Sequence, residues 1–122
     1  MKEKDKSVRI ISINKVNTES YTNEVYNLLE SNNLKVSIDT NDNLSFGERF
    51  KIGRNENIYY FLIIGDKDKE NRCVGLTVRG KTKVCNVPFT DLLYVLKKEP
   101  NNEKKIKEFI NESNYQWGKI FK

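Results

Sequence analysis

Histidine is absent from the 122 residues, and cysteine, proline, tryptophan and methionine are scarce, at two, two, one and one. Without histidine the chain lacks the commonest general base and the nucleophile triads built on it. Cys73 and Cys85 fall on predicted strands and have no further Cys or His to complete a zinc site. They read as two buried thiols in a reducing compartment rather than a disulfide. No apolar run approaches the roughly 18 residues of a membrane span, and residues 1–6 lack the apolar stretch of a secretory signal. The expectation is a cytoplasmic protein, or one of an organelle matrix, with no cofactor, no metal and no membrane partner.

What is present is charge. Lys and Arg number 22 against 17 acids, a net +5 with a pI near 9.1. That excess suits a polyanionic partner but is a weak signal alone. At this length one domain with one core is expected.

The chain is organised around IYYFLIIGDKDKENRCVGLTVRGK, residues 58–81. Seven consecutive apolar or aromatic residues, 58–64, are too few for a long helix and rich in strand-favouring types, so they predict a central strand covered on both faces. Gly65 ends it. Residues 66–72 are so charged that they predict a solvated turn, and residues 73–79 return to a strand pattern.

The rest of the chain follows in order. Residues 1–7 are expected to fray, and residues 8–13 give a first strand. Asn17 or Thr18 is placed to cap a helix whose apolar positions Tyr21, Val25, Leu28 and Leu29 form one stripe. Asn32 and Asn33 suit a left-handed exit. Residues 34–38 alternate as a second strand, parallel to the first. After a loop over residues 39–43, Ser45 and Glu48 have capping-box spacing for a helix over 46–55. Its inner side carries Phe46 and Phe50, while Arg49, Lys51 and Arg54 are left for the surface. Gly47 and Gly53 each cost that helix about 1 kcal/mol relative to Ala, so compensation such as close packing is expected. Residues 73–79 and 84–87 pair as an antiparallel hairpin. Pro88 opens a third helix with Phe89, Leu92, Leu93 and Leu96 on one face, stopping before Pro100. Asn101 or Asn102 caps a last helix with Ile106, Phe109 and Ile110 inward, followed by an aromatic tail of Tyr115, Trp117, Ile120 and Phe121. The order β-α-β-α-β-β-β-α predicts an α/β fold: a three-layer α/β/α sandwich with a mixed five-stranded sheet, plus a C-terminal helical extension. Ligands of such sheets lie at strand ends and their loops.

Four stretches, in order, carry a family resemblance: residues 34–39 as a strand ending in Asp39; Phe46-Gly47-Glu48-Arg49-Phe50-Lys51 as a helix start; Phe61 to Asp68 as a strand ending in Gly-Asp-Lys and an acid; and residues 87–91 as the entry to a helix. Together they resemble the anticodon-binding domain of class IIa aminoacyl-tRNA synthetases, the threonyl enzymes most of all. The resemblance covers residues 8–99 and leaves 100–122 as an extension. It implies binding of a tRNA anticodon stem-loop by a domain that is non-catalytic by itself, with the aminoacylating motifs elsewhere. Asp66 and Asp68 sit in a polar turn with no pocket implied, which likewise gives no reason to expect catalysis.

The residues implied in RNA binding are Asn41, Asp42, Arg49, Lys51, Arg54, Asp68, Thr77, Arg79 and Lys81, with cations positioning phosphates and Asp68, Asn41 or Asn43 touching base edges. Tyr59 or Tyr60 would supply a stacking surface, at least one of them being core. Two positions depart from the family pattern. Asp68 is one methylene shorter than the family's Glu, and Thr77 stands where the family begins an Arg-x-Arg pair; a hydroxyl cannot make the guanidinium's fork. Those departures, with the tail, support an alternative: a degenerate copy serving as a protein-protein interaction or assembly module, with Trp117 and Phe121 as docking anchor.

Overall fold

The computed structural model describes the backbone of residues 6–120 and the side chains of residues 6–113. The predicted hydrophobic runs become strands β1 (Val8–Ser12), β2 (Val36–Asp39), β3 (Tyr60–Ile64), β4 (Cys73–Val78) and β5 (Cys85–Pro88). They form one sheet in the order β2-β1-β3-β4-β5. β1 runs parallel to both β2 and β3, while β4 is antiparallel to its neighbours β3 and β5. The C-terminal ends of β1, β2 and β3 therefore share one end of the sheet, which also holds the start of β4.

Period-two alternation divides the sheet residues between two faces. One face, with Ile10, Leu62, Leu76 and Val87, is buried against α1 (Lys15–Glu30), α4 (Phe89–Lys97) and α5 (Glu103–Ile120). The stripes Tyr21, Val25, Leu29 and Leu92, Leu96 lie in that core, as does Ile106 of α5. The opposite face carries Ile11 and Phe61, covered by Phe50 of α2 (Phe46–Asn55). This is the mixed five-stranded α/β fold expected, with both layers of helix present.

Several local expectations need correction. The charged residues after Gly65 are not an open turn but a short helix, α3 (Asp66–Asn71). The Gly65 N–H donates to Asp68 Oδ2 at 2.8 Å, which satisfies one end of it, and both acids of its first turn favour the helix dipole. Arg72, at φ 54°, then ends it. α1 starts earlier than expected, behind Asn14; Asn17 and Thr18 lie inside it, and the buried Thr18 hydroxyl bonds Ser12 Oγ at 2.8 Å. Fraying does not reach residue 7: the Ser7 carbonyl accepts from the Tyr59 and Tyr60 amides, both at 3.0 Å. Phe46 is 44% exposed rather than inward, stacked on Phe50 at the start of its helix.

Other details fall as expected. α2 has the Ser45/Glu48 capping box, and the Ser45 amide holds the Glu48 carboxyl below the usual carboxylate range. Asn33 takes the left-handed exit at φ 67°. Asn102 Oδ1 accepts from the Lys105 amide at 2.9 Å, as a cap should. Close packing compensates Gly53, whose missing Cβ would sit 2.5 Å from the Phe61 ring, but not Gly47, whose nearest neighbour would be Ser45 Oγ at 3.9 Å. The side chains of Tyr115, Trp117, Ile120 and Phe121 lie outside the described residues.

Candidate nucleic-acid interface

α2 covers only part of its sheet face. On the β3–β4 half, Ile63 lies opposite Gly75 and Thr77 opposite Phe61, all on the face that α2 shares. Val84 reaches over Gly75, whose added Cβ would meet Val84 Cγ1 at 2.9 Å. Val84 is 47% exposed, and Asn86 of β5 is exposed beside it. The result is a shallow floor of small and apolar groups. Helical spacing puts Lys51 and Arg54 on the flank of α2 toward this floor, and Arg54 Nη1 donates to the Arg79 carbonyl at 3.3 Å.

The two ends of the floor differ in chemistry. At the end shared by the C-termini of β1, β2 and β3 stand the 40–45 loop and α3. Asp68 is partly buried there: Oδ2 takes the Gly65 amide, while Oδ1 accepts from the Cys73 thiol at 3.6 Å. Burial, followed by that carboxylate, pushes the Cys73 thiol up, so it remains protonated at neutral pH. At the other end, beyond β4, stand Arg54, Arg79 and Lys81, the last two exposed. β3 rises about 3.3 Å per residue, so Tyr60 and Ile64 mark ends separated by about 13 Å. Of the residues expected to bind, the acids and amides occupy one end and the cations the other; Lys67 and Lys69 of α3 add exposed charge at the first.

Among the residues expected to bind, the fold thus brings Asn41, Asp42 and Asp68 to one end and Arg54, Arg79 and Lys81 to the other, with Lys51 between. Two differ from expectation. Arg49, assigned to the surface, is 4% exposed and turned beneath the loop. Its Nε donates to Asp39 Oδ2 at 3.1 Å and its Nη2 to the Ser12 and Asp39 carbonyls, each at 3.2 Å. A buried guanidinium needs that many partners. Thr77 is 1% exposed, and its hydroxyl is shared with the Thr82 carbonyl and hydroxyl, each at 3.0 Å. It supplies floor, not a reading group. Of the two tyrosines, Tyr60 is core, its hydroxyl bonded to the Pro100 carbonyl at 2.6 Å. Tyr59 is partly exposed between Lys6 Nζ, 5.0 Å from its ring centre, and Arg79, at 5.8 Å.

Residues 7–99 match the family described as the anticodon binding domain. The chain belongs to that family. It is 30% identical over 105 residues to the threonine–tRNA ligase catalytic subunit of Sulfurisphaera tokodaii, covering 86% of this chain and 19% of that protein. With the threonine–tRNA ligase of Methanobrevibacter smithii it shares 32% over 86 residues, or 70% of this chain and 14% of the relative. The chain therefore spans less than a fifth of these relatives. In fold it is similar to a prolyl-tRNA synthetase of Cryptosporidium parvum, at TM-score 0.68 and 23% identity over 91% of this chain and 22% of that one. It is similar also to the RNA binding domain of threonyl-tRNA synthetase from Cryptosporidium parvum, at TM-score 0.68 and 18% identity over 79% of this chain and 24% of that one.

As an anticodon-binding domain the chain carries features that its motifs did not disclose. Arg72 makes a bidentate pair with Glu24, at 2.9 and 2.7 Å, and lies over the Phe89 ring at 4.7 Å. Hydrogen bonding from Arg72 holds the Glu24 carboxyl low. Nothing in the sequence joins residues 48 apart. Val84 and Asn86 were legible in principle, since alternation around the buried Cys85 and Val87 leaves them on the other face. Among the described residues no group of three or more Cys, Asp or Glu is arranged to hold a metal ion.

Proposed function

We propose that this chain binds the anticodon stem-loop of a tRNA, of threonine specificity, and is non-catalytic by itself. The observation that carries the proposal is the β3–β5 face beside α2, where Val84 and Asn86 are exposed and Ile63 is partly so. It is bordered by base-edge donors and acceptors at one end and by Lys51, Arg54, Arg79 and Lys81 along the flank and the other end. Unpaired bases are recognised by hydrogen bonds to their exposed edges, and phosphates by cations that carry no sequence information. Asp68 Oδ1 and the side chains of Asn41 and Asn43 are suited to the first task, and the basic residues to the second. Aminoacylation then belongs to residues outside this chain. The setting is one where tRNA is charged, the cytosol or an organelle matrix.

The test is binding to a threonine-type anticodon stem-loop, beside one with altered anticodon bases, at two salt concentrations. A preference of about 1–3 kcal/mol per altered base is expected, together with weakening by salt as counterions are released. Absence of binding to either loop sinks the proposal.

A second reading rests on Thr77. Its hydroxyl is spent within the hairpin, so no group at that position forks to a base. On this reading the domain has lost its code: equal, salt-sensitive binding of both loops would mark a backbone binder, and binding of neither would favour a protein-docking module.

A further inference from the structure

Arg49 looks, in sequence, like one more cation for the phosphate backbone, and the fold gives it other work. It stands at the fourth position of α2, 4% exposed, where four parts of the chain meet. Nη2 reaches the Ser12 carbonyl at the end of β1 and the Asp39 carbonyl at the end of β2. Nε reaches Asp39 Oδ2 at 3.1 Å, and Nη1 lies 3.8 Å from Asp42 Oδ1. Nε and Nη2 are committed inward, and Nη1, which makes no hydrogen bond among the described residues, faces the Asp42 carboxylate, so the guanidinium is turned to the loop rather than outward.

The same pairing reaches the loop. Asp39 holds Arg49 with one carboxylate oxygen and accepts the Asn41 amide with the other, at 2.8 Å. Asn41 Oδ1 in turn accepts the Asn43 amide at 3.1 Å, and the Leu44 amide returns to the Asn41 carbonyl at 3.3 Å. The loop ends in Ser45, whose capping box with Glu48 belongs to the helix that carries Arg49. From Arg49 to Asn43 the shape of the loop is thus relayed through consecutive hydrogen bonds. Among the described residues, the Asn41 side-chain nitrogen and the Asn43 side-chain amide stay uncommitted, and these are the groups suited to a base edge.

We infer that Arg49 is a positioning residue: its buried guanidinium fixes the 40–45 loop in the shape that presents Asn41 and Asn43 to an unpaired base, without touching RNA. The inference rests on the RNA-binding proposal above. Preorganisation is the physical gain, because a loop already in its bound shape loses less entropy on binding.

Arg49→Lys and Arg49→Met separate this role from a phosphate contact, with stem-loop binding measured across salt for native and altered loops. Lysine keeps the charge but not the planar fork, so both variants are expected to lose about tenfold in discrimination. The salt slope should stay at the wild-type value, whereas loss of one phosphate contact lowers it by about 0.7 on a single strand. Amide hydrogen exchange on the free protein gives a second readout: the Asn41 and Asn43 amides should exchange faster by tenfold or more in Arg49→Lys, while core amides of β3 are unchanged. Wild-type discrimination by Arg49→Lys, a reduced slope in Arg49→Met, or unchanged exchange at Asn41 overturns the inference. If the unaltered chain binds no loop, the RNA proposal falls and this role with it. Faster exchange at Asn41 and Asn43 would then show that the loop anchor, as distinct from the function, is real.

Discussion

Gly47→Ala and Gly53→Ala make the same substitution in one ten-residue helix, and the packing predicts opposite signs. Replacing Gly by Ala in a helix removes backbone entropy from the unfolded chain and gains about 0.5–1 kcal/mol where the new methyl has room. At Gly47 the nearest atom to the methyl would be Ser45 Oγ, at 3.9 Å, which is ordinary contact. Since Gly47 lies in the first turn, a gain of about 0.5 kcal/mol is expected. At Gly53 the methyl would stand 2.5 and 2.6 Å from two atoms of the Phe61 ring. That ring is fully buried in β3 and meets Phe50 edge-on at 5.0 Å. It must retreat by roughly 1 Å in a core packed as densely as an organic crystal. Overpacking of this kind costs about 1–3 kcal/mol, and a clash with a rigid, fully buried ring belongs toward the upper end, so after the entropy gain of about 0.5–1 kcal/mol a net loss of about 1–2 kcal/mol is expected. Urea unfolding of the two variants beside the wild type reads the difference as shifts of midpoint at constant slope. Should Gly53→Ala stabilise the protein as Gly47→Ala does, the argument that close packing of α2 on Phe61 requires this glycine is refuted.

Tyr60 and Tyr21 are both pushed above their ordinary ionisation range, chiefly by burial. A group whose folded pKa is raised contributes stability that is intact below its unfolded value and lost as pH climbs toward the folded one. Thermal unfolding should therefore be insensitive to these groups below about pH 10 and fall steeply above it; Tyr60→Phe should lessen that alkaline fall, and an unaltered profile would contradict the assignment. Ser45→Ala removes the cap of α2 and should cost about 1 kcal/mol in urea unfolding, while at pH below the carboxylate range, where Glu48 loses its depressed charge, the difference between variant and wild type should narrow.

The division between what was legible in the sequence and what was not follows the range of the interactions. Local rules sufficed for α2, whose boundaries and capping box depend on residues three apart, and for the strand and hairpin, whose period-two pattern is a property of a few neighbours. The order of these elements, with the Gly65-Asp66-Lys67 motif, led to the family. Alternation also places Val84 and Asn86 on the outward face of β5, opposite the buried Cys85 and Val87. A charged residue is different, because its sequence neighbours do not say whether it meets water or a partner. Arg49 is drawn inward by Asp39, 10 positions before it, and by the carbonyl of Ser12, 37 before it. Arg72 is pinned by Glu24 across 48. Asp68 was expected to touch a base edge, and its oxygens take the Gly65 amide and the Cys73 thiol, while Lys69 and Arg72 of the same charged stretch dock on α1. Periodicity records which face is apolar. Only chain closure decides which polar groups meet, and so which cations stay free for RNA and which hold the loop.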